Sequence, residues 1–338
     1  MTFPIVFQKQ KMMRQVLIAL IPAWIGSVFF FGWISAGILA TSVITCVLTE
    51  WFFVRKTTGK ISEAVLVTAA LFALVLPPTI PLWMVVIGGI FGIAFGKMAF
   101  GGFGANIFNP AMVCRAFLYI TFPVFMTSRW IPAANFTDFP GGFTVWRYMP
   151  EGYNALSAIT SATPSHAASY GATTLPGFYQ LFLGNINGVF MHLGENTLIG
   201  GGSLGETSAL LLIVGGLYLL VRKTANWRIA LTFFVTYFGF QSILHLTIPD
   251  QIFPPVFAFF SGGAVLGGFF MVTDPVSAPK TTAAQFIYAA VIAIFTVLIR
   301  SFSLFAGGLM FSILLGNMFA SLIDQLVKST QSRENTSR

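Results

Sequence analysis

Ten runs of mostly apolar residues, each close to one bilayer thickness, recur near 16–33, 35–54, 62–77, 80–97, 107–127, 207–221, 228–246, 253–272, 283–300 and 303–323. A helix needs roughly 20 such residues to cross the hydrocarbon core, so the pattern predicts ten spans. Between the fifth and sixth lies a polar stretch, Thr127 to Glu206, rich in Gly, Pro, Ser, Thr and Asn. Loops that long are usually functional. The chain therefore divides into a first membrane set (1–127), a loop (128–206), a second membrane set (207–325) and a tail (326–338).

Two of the runs are interrupted. The third, SEAVLVTAALFALVLPPTIPL, breaks at Pro77 and Pro78, and the eighth, FAFFSGGAVLGGFFMVTDPVSAP, breaks at Asp274 and Pro275. Proline removes a helix donor and clashes with the preceding turn. Each interrupted run is third in its set of five, and an odd repeat length puts the two sets in opposite orientation. Pro-interrupted segments at matching places of inverted halves point to a site near the membrane midplane. Short helices followed by tight turns would give the same pattern. The expected fold is an all-α integral membrane protein with two inverted five-helix repeats and one long outward-facing loop.

Composition narrows the class. Of 338 residues, 56% are hydrophobic and 8% charged, against roughly a quarter charged in ordinary soluble domains. A soluble enzyme, a nucleic-acid binder and a secreted disulfide scaffold are excluded. Cys46 and Cys114 both fall in apolar runs, so no disulfide framework or CxxC metal site is available. With both termini on one side, that side holds 14 of the 18 Lys and Arg residues; the other holds Arg129, Arg147 and Arg300, and Arg115 falls within a span. The positive-inside rule then makes the termini cytoplasmic and the long loop outward, in a bacterial or archaeal inner membrane. The basic N-terminus MTFPIVFQKQKMMRQ precedes an apolar run with no small-x-small cleavage site, and reads as a retained anchor.

Ionisable groups within spans are expensive and need a reason. Glu50 ends the second run, Glu63 starts the third, Arg115 lies one or two turns into the fifth, and Asp274 sits at the break in the eighth. One reading is a cation or proton path through Glu50 and Asp274, with Arg115 as a structural counter-charge. The other puts Glu50 and Glu63 at the interface beside Arg55 and Lys60, with Asp274 capping the segment after it. Gly101, Gly102 and Gly104 form a turn before the fifth run, and Asn106 and Asn109, three apart, can present amides to one ligand. Turn and helix cap alone would also account for them. The turn is not a P-loop, since the Gly-Lys-Ser/Thr ending is missing. Ser203, three residues before Glu206, has the spacing of a capping box at a helix start. His166, His192 and His245 share no metal-binding spacing, and no metal site is expected.

Several segments resemble a known family. GKMAFGGFGANIFNPAMVCRAFLYITFP, SATP, LGNINGVF, GSLGETSALLLIVGGLYLL and SGGAVLGGFFMVTDPVSAP are similar to the D-type subunit of the Rnf electron-transport complex and to its homologue, the B-type subunit of the sodium-pumping NADH:quinone reductase. The GETSA string and the lack of a long N-terminal extension favour the Rnf type, while RAFL after NPAMVC leans the other way, leaving the subtype open. The resemblance implies a flavoprotein subunit of a redox-driven Na+ or H+ pump that relays electrons beside other subunits. It implies FMN joined through its phosphate to a threonine in the outward loop. Thr160-Ser161-Ala162-Thr163-Pro164 fits that motif, with Thr163 as acceptor; Ser157 replaces the family's leading Asp. Thr173 is an alternative acceptor and Thr160 a weaker one. The resemblance further implies a non-covalent riboflavin near Asn106 and Asn109, and a cation-uptake role for Glu50. A urea- or ammonium-type channel would suit inverted halves equally but needs no acceptor threonine. A scaffold that has lost its flavin is the reading that Ser157 keeps open.

Overall fold

The computed structural model describes residues 6–56, 59–127, 131, 133–134, 138–149, 178–184, 189–192, 195–198, 202–249, 251–303 and 308–336. The first half holds α1 (Lys11–Phe31), α2 (Ile34–Val54), α3 (Ala64–Leu74), α4 (Leu82–Gly96), α5 (Pro110–Thr121) and the short α6 (Pro123–Thr127). A short α7 (Phe178–Leu183) lies in the polar stretch. The second half holds α8 (Ala209–Val221), α9 (Trp227–Thr247), α10 (Pro255–Phe260), α11 (Ala264–Leu266), α12 (Thr282–Phe302) and α13 (Gly308–Thr336). Six helices are long and apolar enough to cross a membrane: α1, α2, α4 extended by the turn at Met98–Phe100, α9, α12 and α13. The chain is thus a multi-pass membrane protein. Shorter apolar helices are α3, α5 and α8.

Strands, which the hydrophobic pattern did not suggest, form two small pairs. β1 (Val6–Gln8) runs parallel to β2 (Lys60–Ser62), and β3 (Val189–His192) runs antiparallel to β4 (Glu195–Leu198). The first pair ties the N-terminal segment to the α2–α3 connection, segments too short to show a period of their own.

Apolar side chains outnumber what one core can bury, so many point outward. Ile18, Ile21 and Ile25 on α1 and Leu231, Val235 and Phe238 on α9 are exposed along single helix faces, as suits a lipid solvent. Lipid gives helices no hydrophobic reason to associate, so close packing at small residues does that work. On α4, a Cβ at Gly88 would meet the Leu118 side chain at 2.8 Å, and one at Gly92 would meet the Cys114 backbone at 2.9 Å. This glycine face is why α4 lies so tightly on α5. Gly215 of α8 does the same for the two halves, since a Cβ there would lie 2.1 Å from the carbonyl oxygen of Ala19 on α1.

The breaks position everything that follows. α3 stops at Leu74, and the carbonyls of Leu74 and Leu76 accept bonds from Gly205 N (2.7 Å) and Leu204 N (3.1 Å), the approach to the second half. The eighth run departs from the expected single break. It is also interrupted at Ser261–Gly263, where Gly262 takes φ +132°. Arg300 of α12 holds that break open: its guanidinium donates to the carbonyls of Ala258 (3.0 Å) and Ser261 (2.6 Å), which then have no need of helical partners. Beyond it, α11 runs into a wide π-turn, Gly267–Met271, before the chain turns at Asp274. The capping box is not formed. Ser203–Glu206 is a turn with Glu206 N donating to the Ser203 carbonyl, and α8 starts later, after Ser208. Glu206 is instead taken by an ion pair.

Candidate functional site

A cavity of about 690 Å³ opens where the two halves meet. Its apolar wall comes from Met12, Met13 and Val16 of α1, Val67 and Leu71 of α3, and Phe269 and Phe270 of the π-turn. Asn106, Asn109, Lys97, Thr68, Thr273 and Asp274 also line it. The Gly-rich turn delivers the asparagines: Gly101, Gly102 and Gly104 all adopt positive φ, which glycine takes without a Cβ clash.

Each asparagine keeps one side-chain atom in reserve. Asn109 is the N-cap of α5, its Oδ1 accepting from Ala111 N at 3.0 Å, with Pro110 in the first helical position. Its Nδ2 has no partner among the described residues. Asn106 donates from Nδ2 to the Phe108 carbonyl at 3.1 Å, and its Oδ1 has no partner among them. Both residues are buried, so an unused donor and an unused acceptor stand ready beside one cavity. Asn109 is also held from across the molecule. Its backbone N donates to Asn317 Oδ1 (3.0 Å), and Asn317 Nδ2 donates to the Tyr288 hydroxyl (2.7 Å).

The acidic residues are each committed. Asp274 Oδ1 accepts from Val276 N at 3.2 Å and Oδ2 from the Ser277 hydroxyl at 2.9 Å, so it both caps the turn after the π-segment and lines the cavity. Glu63 pairs with Arg14 at 2.5 Å and accepts from Gln10 N, which joins α3 to α1. Arg55, the expected neighbour of the interface acids, lies over the rings of Trp51 and Phe52 instead. Glu50 is 2% exposed and is no interface residue; its partners are Lys97 Nζ at 2.6 Å and Ser62. Arg115 balances neither Glu50 nor Asp274. It donates to Glu206 Oε1 at 3.2 Å, from the start of the second half.

Asn106, Asn109 and Asp274 are therefore brought to one cavity, and Glu50 reaches it through Lys97. Ser157, Thr160, Ser161, Ala162, Thr163 and Thr173 lie outside the described residues. Lys97 is the residue that sequence reasoning passes over. It counts in the charge tally as a cytoplasmic cation, yet it is 1% exposed. Its signal is position: a lone lysine closing an apolar run immediately before the Gly-rich turn.

Residues 6–333 match the model of the NQR2, RnfD, RnfE family. The chain belongs to that family. Its relatives include the D-type subunit of the proton-translocating ferredoxin:NAD(+) oxidoreductase complex of Clostridium ljungdahlii, 35% identical over 94% of this chain and 90% of the relative. The D-type subunit of the Na(+)-translocating ferredoxin:NAD(+) oxidoreductase complex of Acetobacterium woodii is 34% identical over 94% and 89%. The B-type subunit of the Na(+)-translocating NADH-quinone reductase of Ectopseudomonas mendocina is 36% identical over 86% of this chain but 66% of its own length. Within the family, this chain thus matches the D-type relatives end to end and the B-type relative over a shorter share.

Proposed function

We propose that the chain is the flavin-carrying, D-type membrane subunit of a multi-subunit ion-translocating oxidoreductase, relaying electrons in step with movement of Na+ or H+. The observation that carries the flavin reading is the cavity. A flavin ring system has two apolar faces and a pyrimidine edge on which an N–H stands between two carbonyls. The Met, Leu and Phe walls suit the faces, Asn106 Oδ1 suits the ring N–H, and Asn109 Nδ2 suits a carbonyl. The available space falls within the few hundred to about 1,000 Å³ usual for small-molecule pockets.

When bound, riboflavin supplies the electron chemistry. The chain's own residues orient it and exclude water. Asn109 is fixed at both ends, by the α5 cap and by Asn317, so its free amide group is pre-aimed. Asp274 keeps its carboxylate occupied by Val276 N and Ser277 while remaining at the cavity edge, where a cation can reach it. The covalent FMN is assigned to Thr163 in the outward loop, with Ser161 and Ala162 in its motif and Thr173 as the alternative acceptor; this rests on sequence.

Ten spans in two inverted halves are part of the same reading. The packing supports them, for α2 packs on α4 and α4 on α5, while in the second half α9 packs on α12 and α12 on α13. The leading helices of the halves, α1 and α8, pack on each other. The Lys and Arg distribution supports cytoplasmic termini and an outward loop in the inner membrane.

Peptide mass spectrometry on the complex from its native membrane is the direct test. The expected result is an FMN phosphoester on the peptide containing Thr163. The same adduct on Thr173 keeps the function and moves the site. An unmodified chain without flavin fluorescence removes the redox role and leaves a channel or scaffold.

A second test separates cap from ligand. In Asn109→Ser the hydroxyl still caps α5 but the amide donor is gone. Thermal stability is expected to hold, while retained riboflavin falls about tenfold, the loss of one buried hydrogen bond. Asn109→Ala is expected to lose riboflavin and also about 1 kcal/mol of stability. Undiminished riboflavin in Asn109→Ser would take Asn109 out of the site.

A further inference from the structure

Lys97 belongs to two structures at once. It lines the cavity, and its ammonium donates to Glu50 Oε2 and to Ser62 Oγ, both at 2.6 Å. Ser62 closes the cluster by donating from its backbone N (2.9 Å) and hydroxyl (2.7 Å) to Glu50 Oε1. The third N–H of the ammonium has no acceptor among the described residues. Lys97, Glu50 and Ser62 are 1%, 2% and 3% exposed. A carboxylate so far from water stays charged only beside a cation. Replacing such a pair by apolar residues is often neutral or stabilising, so fold stability alone gives little reason to keep one inside a membrane protein.

The chemistry of the three groups supplies another reason. A carboxylate and a hydroxyl are hard oxygen donors that suit a small monovalent cation. The lysine ammonium is such a cation, carried on a flexible four-carbon stem. We propose that Glu50 and Ser62 form a monovalent-cation site which Lys97 fills as a built-in competitor, and from which it is drawn when the cavity's ligand gains negative charge. The inference rests on the redox reading of the cavity.

The charges balance. One electron reaches the cavity from a one-electron donor elsewhere in the complex, a reduced flavin or an iron–sulfur centre, and adds one negative charge there. The Lys97 ammonium moves towards that charge. Glu50, left with its full negative charge, takes up one Na+ or one H+. One electron and one cation have entered, and the net charge of the buried region is unchanged. When the electron passes to the next acceptor in the complex, Lys97 returns to Glu50 and expels the cation. Other buried acids lack this arrangement: Glu206 and Glu63 are paired with arginines that do not line the cavity.

The test uses the purified complex with its native flavins. In oxidised wild type, Lys97 fills the site, so thermal stability is expected to be indifferent to sodium. In oxidised Lys97→Met the site stands open, and stability is expected to rise with sodium at constant ionic strength, an effect lost in Lys97→Met/Glu50→Gln. A dependence on pH alone, also lost with Glu50→Gln, supports the same exchange with H+ as the ion. Dependence on neither overturns the proposal.

The second readout is the midpoint potential of the cavity flavin. Lys97→Met is expected to lower the one-electron reduction constant at least tenfold, about 59 mV; an unmoved potential overturns the link between Lys97 and the cavity. Should Lys97→Met fail to fold, Lys97→Arg keeps a cation whose planar, bidentate head holds the carboxylate more tightly. It is expected to weaken the sodium or proton dependence of that potential at least tenfold, and an unchanged dependence overturns the proposal. Absence of riboflavin from wild-type protein would instead defeat the redox reading, while the stability measurements still decide whether Lys97 guards a cation site.

Discussion

Arg115→Leu is expected to destabilise the protein by about 3–5 kcal/mol, the usual result of stranding one member of a buried ion pair. Glu206 would be the stranded group: its side chain is 3% exposed, and Oε2 already lacks a partner among the described residues. Only one hydrogen bond, at 3.2 Å, joins the pair, and Arg115 Nε is likewise unpaired among them. The surroundings offer no rescue. Gly263, at the break in the eighth run, passes so near that a Cβ there would sit 2.7 Å from Glu206 Oε1, which leaves little room for water. The double variant Arg115→Leu/Glu206→Leu is expected to recover most of the loss, because an apolar pair of similar volume carries no desolvation cost. Thermal unfolding of the three proteins in one detergent checks this. Equal loss in the single and double variants would mean that the charge pair is not what the interface depends on.

Gly215→Ala is expected to cost about 1–3 kcal/mol, the range for overpacking, although alanine is the better helix former by nearly 1 kcal/mol. The obstacle is the carbonyl oxygen of Ala19, 2.1 Å from the new Cβ, so the backbone of α1 must move. A side chain could rotate away; a main-chain carbonyl inside a helix cannot. Gly239→Ala on α9 is the matched control, since nothing lies within 4 Å of its Cβ position. That variant is expected to be neutral or slightly more stable. Equal melting temperatures for the two alanine variants would show that α1 and α8 are not held by this contact.

Both predictions concern long-range contacts, and there the sequence is hardest to read. Every apolar run holds helix, because length and hydrophobicity are local properties. Ends set by local chemistry are also legible: Asn109 before Pro110 is a cap, and Asp274 does cap the segment after it. What depends on distant partners is not. The break at Ser261–Gly263 needs Arg300, about 40 residues on, to take its carbonyls. Glu206 looks like a capping residue until Arg115, 91 positions earlier, is seen beside it.

The candidate site divides in the same way. Asn106 and Asn109 stand out because they follow a Gly-rich turn, and Glu50 and Asp274 because acids in apolar runs are rare. Lys97 gives no such signal, since basic residues at the ends of apolar runs are ordinary on a cytoplasmic face. Only the fold reveals that Glu50, 47 positions away, has pulled it inward.

The cavity draws its walls from both ends of the chain: Met12 to Leu71 and the Asn106–Pro110 turn on one side, Leu219 to Val276 on the other. A ribosome that has finished the first five apolar runs has therefore produced only half a pocket, with both asparagines present and Phe269 and Phe270 still unmade. Asn109 is not pinned until Asn317 emerges, near the end of translation. Cofactor insertion is thus a late event, scheduled by the order of the residues themselves, and a truncated chain inserts without acquiring its colour.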